Sequence, residues 1–278
     1  MIQPAQQDDT FLADVVSAGD DRLHLWWLGQ SGFLVKWNSR HLLLDPYLSD
    51  SLTEKYAATD KPHARMTGRV VAPARLGFVD VVTSSHNHTD HLDAPTLLPM
   101  FDANPGLKLV LPEANRTFAA ERLGMNGESF VGLDERESAT VCGFEFHGIP
   151  AAHDTIERDE QGRCKFMGFV IRCGPWTIYH SGDTLLHDAL ADRLRAFSID
   201  VALLPINGNV PERRVAGNLD GREAAELAKE IGAGLAVPCH FEMFEFNTAT
   251  PDRFIATCKE LGQPYRVLRA GERLTLQE

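Results

Sequence analysis

Apolar residues recur along this chain in short runs, and their spacing alternates between the period of strands and that of helices. TFLADVVS (10–17) has helical spacing, whereas LHLWWLG (23–29), GFLVKW (32–37) and HLLLDP (41–46) read as three strands joined by short turns. The polar stretch 47–76 is longer than an ordinary connection, a length usually reserved for function. VDVVTSS (79–85) and LKLVLP (107–112) read as buried strands, and EANRTFAAERLG (113–124) as a helix stopped by Gly124. Residues 139–180 are β-rich. Beyond them the pattern predicts a helix over 184–197, a strand over 201–205, a helix over 221–232 and a strand over 235–240. Asp220 and Glu223 have the spacing of a capping box. A last helix, 251–262, is expected to take Thr250 as its N-cap and Pro251 as its first residue. No linker, repeat or low-complexity tract divides the chain, so residues 1–278 read as one α/β domain with two sheets inside and helices outside.

Composition narrows the function classes. Of 278 residues, 44% are hydrophobic and 24% charged, which is ordinary globular usage, and no apolar run is long enough to make a membrane-spanning helix. The first residues, MIQPAQQDDT, lack the basic start and apolar stretch of a secretory signal, so a cytoplasmic location is expected. Five scattered cysteines without a C-x-x-C pair read as reduced thiols. A net charge of −12 disfavours nucleic acid and points to a small-molecule partner, while leaving a homo-oligomer open. One segment departs from that balance: Lys55, Lys61, Arg65, Arg69 and Arg75 lie close together with only Asp60 among them. Arg65 or Arg69 is expected to clamp an anionic group of the substrate.

The densest chemistry lies in SSHNHTDHLD (84–93), where His86, His88, Asp90 and His91 form H-x-H-x-D-H directly after an apolar strand. Imidazole nitrogens and carboxylate oxygens bind divalent ions, and a strand end followed by a tight turn can serve two neighbouring ions at once. Two ions need more ligands than one loop provides. His153 in IPAAHD, Asp183 in YHSGDT and His240 in VPCHF all follow apolar runs, the position where α/β sheets build their sites. Taken singly each could be a core or capping residue, and Asp183 could cap the helix expected after it.

This order of motifs resembles the metallo-β-lactamase superfamily, with Asp45 in LLLDPY matching the aspartate that precedes the main motif there. The resemblance runs from about residue 24 to 241 and implies a four-layer αββα sandwich with metals at one edge between the sheets. It further implies His86, His88 and His153 at one metal, Asp90, His91 and His240 at the other, and Asp183 bridging both. WWLGQSGFLVKW, LLLDPYLSDSLTEKY and LLPINGN are most similar to the branch containing the L-ascorbate-6-phosphate lactonase, which also has relatives described only as metal-dependent hydrolases and, more distantly, a phospholipase D. Departures from the superfamily's patterns restrict the chemistry. The lactam-cleaving members lack an aspartate at the position of Asp183, the RNA-processing members carry a large insertion, and the glyoxalase II type adds a helical region for which the 38 residues after His240 are too few.

The expected activity is therefore hydrolysis of a small polar lactone or ester, phosphorylated or not, by a hydroxide bridging two divalent ions, zinc or manganese. Asp90 and Asp183 are the expected catalytic carboxylates. Phosphodiester cleavage and non-catalytic metal binding are the alternatives. Asn207, Asn209 and Arg213 are candidates for holding a substrate oxygen or anion, and His180 joins Asp45 as a residue expected to orient the ligands.

Overall fold

The computed structural model describes residues 1–277. Among these residues thirteen strands form two sheets. They are β1 (Leu23–Gly29), β2 (Gly32–Trp37), β3 (Arg40–Leu44), β4 (Val81–Thr83), β5 (Lys108–Pro112), β6 (Val131–Leu133), β7 (Ser138–Val141), β8 (Phe144–Pro150), β9 (Met167–Cys173), β10 (Trp176–His180), β11 (Val201–Pro205), β12 (Leu235–Cys239) and β13 (Arg273–Leu276). The first sheet runs β13-β1-β2-β3-β4-β5-β6 and the second β12-β11-β10-β9-β8-β7. Seven helices accompany them: α1 (Asp8–Ser17), α2 (Ser51–Tyr56), α3 (Ala94–Ala103), α4 (Arg116–Leu123), α5 (Leu190–Arg195), α6 (Gly221–Glu230) and α7 (Asp252–Leu261). Among the described residues no helix is long and apolar enough to cross a membrane.

The layering follows from period-two patterning in strands that are apolar on both faces. Leu23, Leu25, Trp27, Phe33, Val35, Leu42, Leu44, Val81 and Val110 belong to a core shared with the second sheet. Their alternates Trp26, Leu28, Leu34, Leu43, Val82 and Leu109 pack on the other side with Phe11 and Val15 of α1, Leu97 and Met100 of α3 and Ala119 of α4. On the far side of the second sheet lie α6 and α7, with Ala224, Ala228, Phe254 and Cys258 in its core. The result is a four-layer αββα sandwich. Asp220 caps α6 by accepting from the backbone amides of Arg222 and Glu223, while Glu223 accepts from the amide of Asp220 at 2.9 Å. At Gly124 the left-handed cap that ends α4 has φ +61°.

Several expectations need correction. The stretch 184–197 is helical only over Leu190–Arg195. Thr184 and Leu185 instead bond Ala152, tying the loop after β10 to the loop after β8, so Asp183 caps nothing. Helix α7 begins at Asp252 with Pro251 as its N-cap, and the Thr250 hydroxyl donates to the Asp252 carboxylate at 2.9 Å rather than to a backbone amide. Helix α3, APTLLPMFDA, was hidden by two prolines. One lies in its first turn, where no amide donor is needed, and Pro99 is tolerated inside it while Thr96, Leu97 and Met100 are buried. Within 47–76, α2 and the segment after it fold onto residues 243–246, burying Tyr47, Leu52, Met243 and Phe244 together.

Strands β8, β10 and β12 all run the same way, because β8 and β10 are each antiparallel to β9 and β10–β11–β12 are parallel. Their carboxyl ends therefore open on a single edge. Gly182 makes the turn there at φ +57°, and a Cβ on it would stand 2.6 Å from Ser85 Cβ. Gly182→Ala should cost about 2 kcal/mol in denaturant unfolding, through a disfavoured backbone and a clash across the sheets. A variant as stable as the parent would show that this contact yields.

Candidate metal centre

The loop after β4 in the first sheet and the loops after β8, β10 and β12 in the second bring His86, His88, Asp90, His91, His153, Asp183 and His240 together. Donor atoms of His86, His88 and His153 lie within 4.8 Å of one another, as do those of Asp90, His91 and His240; a third trio, His86, His91 and Asp183, joins the two. The Asp183 carboxylate is central. Its Oδ1 lies 3.3 Å from His91 Nε2, and its Oδ2 lies 3.3 Å from His240 Nε2 and 3.5 Å from His153 Nε2. Asp90 Oδ2 approaches His240 Nε2 at 3.5 Å and His91 Nε2 at 3.6 Å.

The surroundings aim these rings. Asp45, fully buried with φ +34°, accepts from His91 Nδ1 at 2.7 Å, from Thr83 Oγ1 at 2.7 Å and from the Ser85 amide at 3.1 Å. With Nδ1–H committed to Asp45, His91 turns its Nε2 toward the two carboxylates. His153 Nδ1 donates to the Gly217 carbonyl at 2.7 Å, and His86 Nδ1 pairs with Ser85 Oγ at 3.0 Å. His240 occupies a left-handed backbone position, φ +59°, fixed by its amide bond to the Gln30 carbonyl at 2.9 Å. His180 does not join this set: its Nε2 bonds the Ser31 carbonyl at 3.0 Å and its ring packs edge-on against Phe33.

Electrostatically the cluster is strongly coupled. Burial opposes the charge on Asp90 and Asp183, yet the neighbouring His91 and His240 hold both carboxyls far below the usual range. Burial likewise opposes a proton on His240, but Asp183 and Asp90 push it up to about 9, and the same two carboxylates raise His91. His86, buried among other histidines, is driven well below its ordinary value. His86 Nε2 is buried without any hydrogen-bond partner, and His91 Nε2 and Asp183 Oδ1 are buried with none besides their approach to each other. Such orphaned atoms are rare in native proteins, and five imidazoles with two carboxylates form a donor set suited to borderline divalent ions. The residues present fit a metal.

Above this floor lies a cavity of about 520 Å³. Leu52, Tyr56 and His63 come from the loop 47–76, Phe118 and Arg122 from α4, and Lys55, Lys61 and Arg214 add positive charge. The expected anion-binding residues are elsewhere. Arg65 is buried against Asp50 (2.6 Å), the Ser49 carbonyl and the Tyr47 ring, and Arg69 is exposed; neither lines the cavity. Arg213 is spent on the carbonyls of Asn207 and Thr248, both at 2.7 Å, and Asn207 on Asn218 and Asn247. Asn209 is exposed and packs against Gly217. These residues hold the rim together; Asn247, which they position, lines the pocket. The sequence reading passed over Gln30, His63 and Arg122, since lone polar residues in a hairpin turn, a loop and an amphipathic helix carry no spacing signal. Only the positive excess around Lys55 and Lys61 was visible.

Asp45→Asn should keep the fold but weaken the hold on His91, lowering divalent-metal affinity about 10- to 100-fold in chelator competition. Unaltered affinity would mean that Asp45 serves only the turn it occupies.

Comparison with known proteins agrees with this geometry. The family model described as a β-lactamase superfamily domain matches residues 40–241. A UPF0173 metal-dependent hydrolase of Opitutus terrae is 30% identical over 255 residues, covering 90% of this chain and 98% of its own. Among solved structures, Igni18, a metallo hydrolase from Ignicoccus hospitalis, aligns with a TM-score of 0.68 at 22% identity, covering 92% of this chain and 99% of its own. A possible metal-dependent hydrolase from Veillonella parvula aligns at 0.72 and 15% identity, covering 93% and 100%. With the motif order, the sandwich and the converging donors in agreement, the chain belongs to the metallo-β-lactamase superfamily and, within it, to the metal-dependent hydrolases.

Proposed function

We propose that this protein hydrolyses a small polar lactone or ester bearing an anionic group, using two divalent cations held by the seven donors. The observation that carries this reading is the convergence of buried, unpartnered imidazole and carboxylate atoms on the floor of a pocket sized for a small molecule. His86, His88 and His153 would hold one cation, and Asp90, His91 and His240 the other, with Asp183 between them. Bound there, the pair supplies an acidified water as nucleophile and an electrophile for the carbonyl oxygen.

The chain's own residues do the remaining work. Asp45 accepts the Nδ1 proton of His91, which leaves Nε2, facing Asp90 and Asp183, as the atom that would give up its proton to a cation. Asp90 and Asp183 stay ionised at neutral pH and hold negative charge against the imidazoles around them. Leu52, Tyr56, Phe118 and Phe244 wall the cavity with apolar surface that limits water. Lys55 and Lys61 line it in a protein of net charge −12, Lys61 with its ammonium on the Arg214 carbonyl, so an anionic substituent is drawn to this face. The same cations suit a phosphodiester, which is the second reading.

Metal-stripped protein, reloaded with zinc or manganese, should hydrolyse members of a lactone and ester panel faster than bis-p-nitrophenyl phosphate. Asp183→Asn should lose metal and turnover together. The reverse order of substrates would favour the phosphodiester reading, and no turnover on either class would reject hydrolysis of this kind. For the active substrates, the Lys55→Gln/Lys61→Gln double variant should raise KM about 10-fold for anionic members only, equivalent to about 1.4 kcal/mol. An equal rise on neutral esters would remove these lysines from substrate binding.

A further inference from the structure

Gln30 lies in the turn GQSG between β1 and β2, only 1% exposed, with its backbone at φ +50°. Side chains other than glycine and asparagine enter that backbone region at a cost. The position is nevertheless held firmly: the Gln30 carbonyl accepts from the Trp27 indole at 2.9 Å and from the His240 amide at 2.9 Å. Its side chain reaches into the metal centre. Nε2 lies 2.7 Å from Asp90 Oδ2 and 2.9 Å from His240 Nε2, two donor atoms of a single trio, and Oε1 is buried with no partner.

A carboxamide so placed has one end among ligand atoms and the other unsatisfied. Half a turn about its last torsion exchanges the two ends. The oxygen then takes the position beside Asp90 and His240. Neighbouring ligands of one divalent ion, with bonds of about 2.1 Å, stand about 3.0–3.4 Å apart, close to the spacings Gln30 keeps from those two atoms. The two halves of the centre also differ chemically. His86, His88 and His153 are three imidazoles, whereas Asp90, His91 and His240 already include an oxygen donor.

We propose that the Gln30 carboxamide oxygen is a further ligand for the cation at Asp90, His91 and His240, and that it biases this position toward harder, oxygen-preferring ions such as Mn²⁺. The assignment rests on the two-cation reading above. It makes the halves of the centre unequal: an imidazole-rich position that accepts zinc readily, and an oxygen-richer one selective for harder ions.

The test is a metal titration of the full-length, metal-stripped protein with Mn²⁺ or Zn²⁺ against a competing chelator, alongside circular dichroism and thermal melting. Gln30→Gly removes the amide while suiting the left-handed backbone, so the fold should survive; Gln30→Glu restores an oxygen donor. The parent should bind two equivalents of Mn²⁺. Gln30→Gly should keep the first and bind the second about 10- to 100-fold more weakly, with a smaller loss for the second Zn²⁺, and Gln30→Glu should recover it. If Gln30→Gly binds the second Mn²⁺ as tightly as the parent, or more tightly, the assignment is wrong, and the amide is a turn residue or an obstruction. If the parent itself binds fewer than two equivalents of either ion, the two-cation reading fails, a result separable from the first.

Discussion

The structure depends on a cluster of buried charge that would be costly to bury in any other arrangement. Isolated carboxylates and imidazoliums lose far more on leaving water than ordinary packing returns, so each must be met by an opposite charge, a hydrogen bond or a metal. The Asp183 carboxylate touches His91, His153 and His240, Asp90 touches His91 and His240, and Asp45 supports His91 from behind. Removing any of these carboxylates would leave imidazoles facing one another in a dry interior. The sandwich can be read as the scaffold that keeps these loops at one edge.

That scaffold achieves convergence by turning sharply at strand ends. Gln30, Asp45 and His240 have positive φ where the chain leaves a strand and delivers their side chains to the centre or its support, and Gly182, also at positive φ, makes the turn that delivers Asp183. Such conformations are sparsely populated in ordinary loops and cluster where function needs a fixed side chain. Here they are held from outside: His240 by the Gln30 carbonyl, Asp45 by Thr83 and Ser85, Gly182 by the tight approach of Ser85. The loop 47–76 completes the site differently. It packs α2 and His63 over the metal floor, with Tyr56 stacked on His63 at 4.5 Å, and supplies a pocket wall that the sandwich alone lacks.

Much of the layout was legible in the chain itself. The runs 23–29, 32–37 and 201–205 became strands β1, β2 and β11 at the same boundaries, since an apolar run between turns leaves a strand little freedom. The capping box at Asp220 and the glycine stop at Gly124 are local chemistry and appear as local pattern. The dense H-x-H-x-D-H motif pointed to metal because its residues are neighbours in sequence. Helix α3 was missed because proline reads as a breaker when its position in the first turn is unknown. The helix over 184–197 was overextended because Thr184 and Leu185 are claimed by Ala152, a partner far away in sequence.

Short segments of the sequence therefore determined most of the strands, the local caps and the clustered candidate donors, and composition determined the net charge. Tertiary structure alone decided which polar side chains meet the cavity. Arg65 and Arg213 make their carbonyl and carboxylate contacts away from the cavity lining, whereas Arg122, on the carbonyls of Asn87 and Leu92, Lys61, on the Arg214 carbonyl, and Arg214, on Asp60, make theirs along the pocket wall beside Lys55. The physical reason is that a guanidinium satisfies whichever acceptors the folded backbone places within reach, and these are set by the fold: Asp50 is 15 residues from Arg65, Thr248 is 35 from Arg213 and Asp60 is 154 from Arg214.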